Sequence, residues 1–144
     1  MRIEQQTIGL TVDDSLMRVH LARPVEQGPW PGLMFYSDIY QLGDPILRLA
    51  NRLAGYGFVV AAPEIFHRLE PVGTVIEPDA IGRLRGNDAA RRTEIAASDA
   101  DAQASLILCS VPARSRGPCS RCSARTIPTY RLTIGRGFSR LCGG

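Results

Sequence analysis

Two short apolar segments bracket a helical pattern, and that order leaves the chain few folds to choose from. Residues 33–36 read LMFY and residues 58–63 read FVVAAP, neither alternating with polar side chains. Strands of that kind are covered on both faces, as in a parallel sheet. Between them, Asp44 and Pro45 make a helix start, with Asp44 as N-cap and Pro45 where no donor is needed. Ile46, Leu49, Ala50 and Leu53 then recur at helical spacing, and Gly55 closes the segment. Strand, helix, strand at this spacing is a βαβ unit, so the two strands should run parallel.

Upstream, Ile8, Leu10 and Val12 alternate, Asp13-Asp14-Ser15 is turn chemistry, and Met17, Val19 and Leu21 alternate against Arg18, His20 and Ala22. That pattern predicts an antiparallel hairpin with one wet face, on which His20 lies. Residues 24–32 are a Pro- and Gly-dense loop, and a second such loop runs from about Glu64 to Gly86. Asn87 can cap a helix over 88–108, with Ile95, Ala102 and Leu106 along one side.

An α/β chain should continue with another apolar strand. Instead the composition breaks. Residues 1–108 hold 10 Arg against 14 acids, whereas residues 109–144 hold 7 Arg, no acid and all four cysteines. Only six of these last 36 residues are Leu, Ile, Val or Phe. That is below the roughly 20% which, with high net charge, marks segments unable to bury a core. The reading is a folded unit over 1–108 and a disordered Arg/Ser/Cys/Pro-rich tail over 109–144. No apolar run reaches the roughly 20 residues of a membrane span, and the amino terminus lacks a secretory layout. A cytoplasmic protein with unpaired cysteines is expected.

The segment SDIYQLGDPILRLANRLAGYGFVVAAPEIFHR resembles the dienelactone hydrolase family of α/β-hydrolases. That family has a strand running into a Glu-Ile-Phe-Gly-Leu-like loop, matched here by Asp38-Ile39-Tyr40-Gln41-Leu42. A helix of the Arg-Leu-Ala type follows, matched by Asn51-Arg52-Leu53-Ala54. Next come an Ala-Pro-Asp strand end and a Tyr-Ala-Arg-like segment, matched by Ala62-Pro63-Glu64 and Phe66-His67-Arg68. The match is collinear over roughly residues 1–108. It implies an α/β fold, here incomplete, that turns an ester or lactone over by acyl transfer to water, without a metal or organic cofactor.

The resemblance also implies roles for three residues. Asp38 stands where the family has a glutamate touching the nucleophile, one methylene shorter. Ile39 would contribute a backbone N–H to the oxyanion hole, and Arg68 would bind a substrate carboxylate through its planar, bidentate guanidinium. The family pattern then calls for a G-x-C-x-G or G-x-S-x-G elbow, an acid and a histidine. GPCSR (117–121) and GFSRL (137–141) lack the last glycine, no histidine follows His67, and no acid follows Asp101. A hydroxyl or thiol needs a nearby base to attack at neutral pH. The expectation is therefore a truncated or frameshifted hydrolase whose catalytic nucleophile, acid and histidine are absent.

The remaining candidates read more plainly. His67 is a loop histidine with no evident partner. Cys119 and Cys122 form a lone C-x2-C, and Cys109 and Cys142 are poorly spaced to complete a zinc site. The tail arginines are scattered rather than striped, which disfavours nucleic-acid binding, although a small protein gripping nucleic acid or an acidic partner through that tail is the competing reading. By the family analogy the missing strand would lie beside residues 33–36. Four large side chains left wet would each forfeit about 1.5–3 kcal/mol, against a domain stability of roughly 5–15 kcal/mol. Self-association through an open strand edge is expected.

Overall fold

The protein is described by a computed structural model over residues 1–110 and the backbone of residues 129–131. Strands β1 (Ile3–Val12) and β2 (Ser15–Pro24) form an antiparallel hairpin in which Val12 pairs with Ser15. The two-residue turn places Asp13 and Asp14 at φ 47° and 61°. That left-handed pair matches the strand twist, and aspartate tolerates it better than most side chains.

Strand β3 (Gly32–Met34) leads through the loop containing Asp38 into helix α1 (Asp44–Gly55), which returns to β4 (Val59–Pro63). β3 and β4 are parallel, with Leu33 opposite Val60, as the βαβ reading requires. β4 also pairs antiparallel with β2, and the sheet order is β3-β4-β2-β1 with β5 (Thr129–Arg131) parallel along the outer side of β1. β3 is thus an edge strand with β4 as its one neighbour among the described residues. The disorder expected for 109–144 falls mostly outside the described residues. Cys109 and Ser110 belong to the last turn of a helix, and residues 129–131 pair with β1.

Alternation along the strands builds two cores. Val59 and Ala61 join Ile8, Leu10, Met17, Val19 and Leu21 on one face, under Ala104 and Leu108 of α3 (Ile95–Ser110). Val60 and Ala22 join Ala50 and Ala54 of α1 on the other. β4 is buried at every position because both faces are covered. The hairpin face expected to be wet is likewise roofed by α1: His20 is buried, 2.9 Å from Asn51 Oδ1. Gly32 permits the close seat of α3, since a Cβ there would come within 2.8 Å of Cys109 Cβ.

Several boundaries differ from the sequence reading. Gly43 is the cap of α1 and Asp44 sits in its first turn, where a carboxylate favours the positive helix end. The chain leaves α1 through Gly57 at φ 97° rather than at Gly55. The single helix expected over 88–108 is two helices. Asp79, not Asn87, caps the first, α2 (Ala80–Arg92), with its carboxylate accepting from Gly82 N at 2.6 Å. Thr93 ends it by leaving helical angles while its hydroxyl donates to Ala89 O.

Candidate functional site

The loop after β3 is held by its own short polar side chains. Asp38 Oδ1 accepts from Tyr40 N at 2.8 Å, and Gln41 N donates to Asp38 O at 3.0 Å. Gln41 adopts a left-handed φ of 67° and is fully buried. Its side chain repays that strain by bridging loops: Nε2 donates to Thr74 O at 3.0 Å and Oε1 accepts from Phe66 N at 3.1 Å. The loops after β3 and β4 are therefore one unit. Sequence reading assigned Gln41 no such role, because a bridging amide has no local signature.

Helix α2 closes over this unit. Its small face, Gly82, Gly86 and Ala89, is buried, and a Cβ on Gly86 would lie 2.5 Å from Ile39 O. Phe66, Ile76 and Ala89 pack together beside Tyr40, Ile65 and Leu69. The result is an open cleft of about 590 Å³ at the carboxyl ends of the parallel strands β3 and β4. Tyr36, Ser37, Asp38 and Ile39 line one side; Ile65, Phe66, Thr93, Ile95 and Asp99 line the rest with neighbouring residues.

Open α/β sheets place ligands beyond such strand ends. The Ser37 hydroxyl oxygen is buried there with no hydrogen-bond partner among the described residues. Partial burial first, and then the charges of Asp99 and Asp101, push the phenol of the still exposed Tyr36 above its usual range. The cleft thus offers hydroxyl donors on an apolar floor.

Asp38 and Ile39 are brought together on this cleft, whereas Arg68 faces an adjoining one of about 370 Å³ with Asp13, Arg92 and Glu94. Ile65, Phe66 and Thr93 form the partition. Arg68 is not free. Nη1 donates to Asp101 Oδ2 at 2.7 Å and Nη2 to Asp101 Oδ1 at 2.8 Å, while Nη2 also reaches Asp13 Oδ2 at 3.2 Å.

His67, expected to lack a partner, is sealed within the same network. Its Nδ1 lies 2.9 Å from Ser15 Oγ, and its Nε2 lies 2.9 Å from Arg68 Nη1 and 3.2 Å from Asp101 Oδ2. Ser15, His67 and Asp101 are in hydrogen-bonded series, yet the serine hydroxyl also donates to the His67 carbonyl and the ring is wholly buried. A nucleophile must pass its proton to the base, and Ser15 gives its own to a carbonyl, so this series reads as a tie between the hairpin turn, the loop after β4 and α3. Burial pushes the Asp101 carboxyl upward, but hydrogen bonds from His67 and Arg68 outweigh it and leave Asp101 below its usual range. The bond to Asp101, opposed by burial, raises Arg68 in turn. Cys119, Cys122, Cys142 and Ser139 lie outside the described residues. Cys109, at the end of α3, is pushed up by burial. No helix among the described residues is long and apolar enough to cross a membrane.

Comparisons with known proteins bear on the family and the fold. A protein described provisionally as a carboxymethylenebutenolidase from Saccharomyces cerevisiae is 46% identical over 41 residues, 28% of this chain and 15% of that protein. A counterpart from Methylorubrum extorquens is 28% identical over 68 residues, 47% of this chain and 23% of its own. Among solved structures, m3DLH superposes with a TM-score of 0.56 at 25% identity, covering 77% of this chain and 46% of that one. The dienelactone hydrolase-like promiscuous phosphotriesterase P91 from metagenomic libraries gives 0.56 at 17% identity, covering 74% of this chain and 44% of its own, a likeness of fold. The chain therefore spans less than half the length of these structures and about a quarter or less of the curated relatives. The model of the dienelactone hydrolase family matches residues 17–111, more than half of the sequence, and the chain belongs to that family.

Proposed function

We propose that the cleft at the ends of β3 and β4 is the acyl-binding wall of an ester or lactone hydrolase site, and that this chain carries the wall without the reacting group. The supporting observation is the placement of residues 36–39 at the mouth of two parallel strands, with the buried Ser37 hydroxyl unpartnered among the described residues. In this reading the Ile39 N–H is the oxyanion donor, a role the backbone fills whatever the side chain. Asp38 stands beside it, its carboxylate turned onto Tyr40 N. Gln41 and Gly86 hold the loop in place.

The curated relatives bear the name of an enzyme acting on a carboxymethylene-substituted butenolide, so a small lactone is the substrate class to try first. Among the described residues, the serine–histidine–acid series has its histidine and acid buried, and its serine hydroxyl donates to the His67 carbonyl. The carboxy-terminal 36 residues contain neither acid nor histidine, so a serine or cysteine there has no base from its own segment. The purified chain should bind butenolide at residues 36–39, seen as amide shifts by NMR, and should hydrolyse p-nitrophenyl acetate no faster than buffer. Turnover abolished by changing Cys119 or Ser139 would overturn the second half of this reading. Amides at 36–39 that do not respond to lactone would overturn the first.

A second reading rests on the seven arginines and no acids of residues 109–144. It expects salt-sensitive retention on heparin that disappears when these arginines are replaced by glutamine.

A further inference from the structure

We infer that Asp101 closes Arg68, in the cleft adjoining the acyl cleft, into an ion pair, so that it receives no carboxylate and the acyl cleft is left to uncharged esters and lactones. This rests on the acyl-site reading above. The observation behind it is the complete engagement of the terminal guanidinium nitrogens. Both bond the two oxygens of one carboxylate, at 2.7 and 2.8 Å, in the parallel two-bond geometry that an incoming carboxylate would need. Asp101 is 2% exposed and lies on the buried face of α3 with Ala104, Ser105 and Leu108, so it cannot swing aside without moving the helix. A ligand would have to displace a partner that is already in place and has no translational freedom to lose.

Charge around the guanidinium points the same way. Asp101 and Asp13 both touch Arg68, so one positive group already faces two negative ones. Arg92 and Glu94, the other charged lining residues of that cleft, offset each other. Among the described residues, the cleft beside residues 36–39 carries Asp38 and Asp99 and has no basic residue in its lining. Among the described residues, an anion approaching from either side meets more carboxylates than guanidinium groups. An uncharged lactone feels no charge repulsion there and meets the apolar floor of Ile39, Ile65 and Phe66 beside the Tyr36 hydroxyl. The chain thus departs from the carboxylate-bearing substrate named for its relatives, and the departure lies in α3 rather than in the arginine.

The test uses the full-length chain, labelled for NMR, with butenolide and its carboxymethylene-bearing counterpart as two probes. Backbone amides at 36–39 report the acyl cleft, and the Arg68 Nε–H reports the guanidinium. Butenolide should move the 36–39 amides in wild type and in Asp101→Asn alike. The carboxylate-bearing probe should leave Arg68 unmoved in wild type and bind Asp101→Asn at least about tenfold more tightly, the worth of a freed charge-assisted contact. Equal affinity of that probe for both proteins, with Arg68 shifting in wild type, overturns the inference while leaving the acyl cleft standing. Failure of butenolide to move residues 36–39 overturns the acyl-site reading and the inference with it. Should Asp101→Asn not fold, the wild-type titration still decides, because an Arg68 shift with the acid probe refutes a closed pair. Asp13→Asn, at an exposed position, supplies the folded variant in which anion affinity should rise less than in Asp101→Asn.

Discussion

Glu64 is fully buried immediately after β4, and replacing it with alanine should loosen the loop that carries the cleft. Its carboxylate accepts from Arg18 Nε and Nη2, each at 3.2 Å, and from Gly73 N at 2.9 Å. Glu64→Ala strands the Gly73 donor, which costs about 1–3 kcal/mol. Arg18 is 22% exposed and recovers some water on its outer flank, so its loss is held to about 1 kcal/mol. The total comes to about 3 kcal/mol. With a urea slope of about 1–3 kcal/mol per molar, the unfolding midpoint should fall by roughly 1–3 M. Glu64→Gln keeps the shape and an acceptor for Gly73, so it should lose about half as much. Hydrogen exchange should speed up at Phe66, Leu69 and Glu70, whose amides bond within this loop region. Glu64→Ala within about 0.5 kcal/mol of wild type, with unchanged exchange at those amides, would refute the argument that this carboxylate anchors the loop.

Other outcomes follow from single contacts. Asp101 sits below its ordinary range when folded, so its contribution is intact above the unfolded value of about 3.9 and is lost as pH falls from there through the folded value; acid titration of Asp101→Asn should show a shallower decline over that window than wild type. Gly86→Ala should destabilise despite alanine's helix preference of about 1 kcal/mol, because the new Cβ meets Ile39 O at 2.5 Å; a stability gain on thermal melting would mean that α2 yields freely. Ser37→Ala should be neutral or stabilising by about 1 kcal/mol in urea unfolding, since it removes a buried hydroxyl without a partner among the described residues, and a loss of that size would reveal one. Ile81 and Leu84 are 76% and 70% exposed on α2, so changing both to glutamate should reduce concentration-dependent association measured by sedimentation; unchanged association would point to the β3 edge instead.

Local chemistry made much of this protein legible. Although β3, as an edge strand, keeps only the half-buried Leu33 and Met34 of the run 33–36 expected to be covered on both faces, Asp13-Asp14 specified the hairpin, the run 58–63 specified a strand covered on both faces, and the helix between the two runs required a parallel pair. These depend on near neighbours in the chain, where periodicity and turn preference act directly. Loop order around Asp38, Ile39 and Arg68 likewise carried the family, which the comparison over residues 17–111 bears out.

Partnerships across the sheet were another matter. His20 lost its wet face because α1 folds back over β2, and His67 acquired partners from residues 52 positions earlier and 34 later. Asn87 and Asp79 offer the same capping chemistry, and the packing of Gly82, Gly86 and Ala89 against the Ile39 loop belongs to the register that Asp79 starts. Sequence alone determined which residues stand at the strand ends. Tertiary structure decided that Arg68 is held by Asp101, because a carboxylate 33 residues away leaves no trace until α3 packs and excludes the water that would otherwise compete for it.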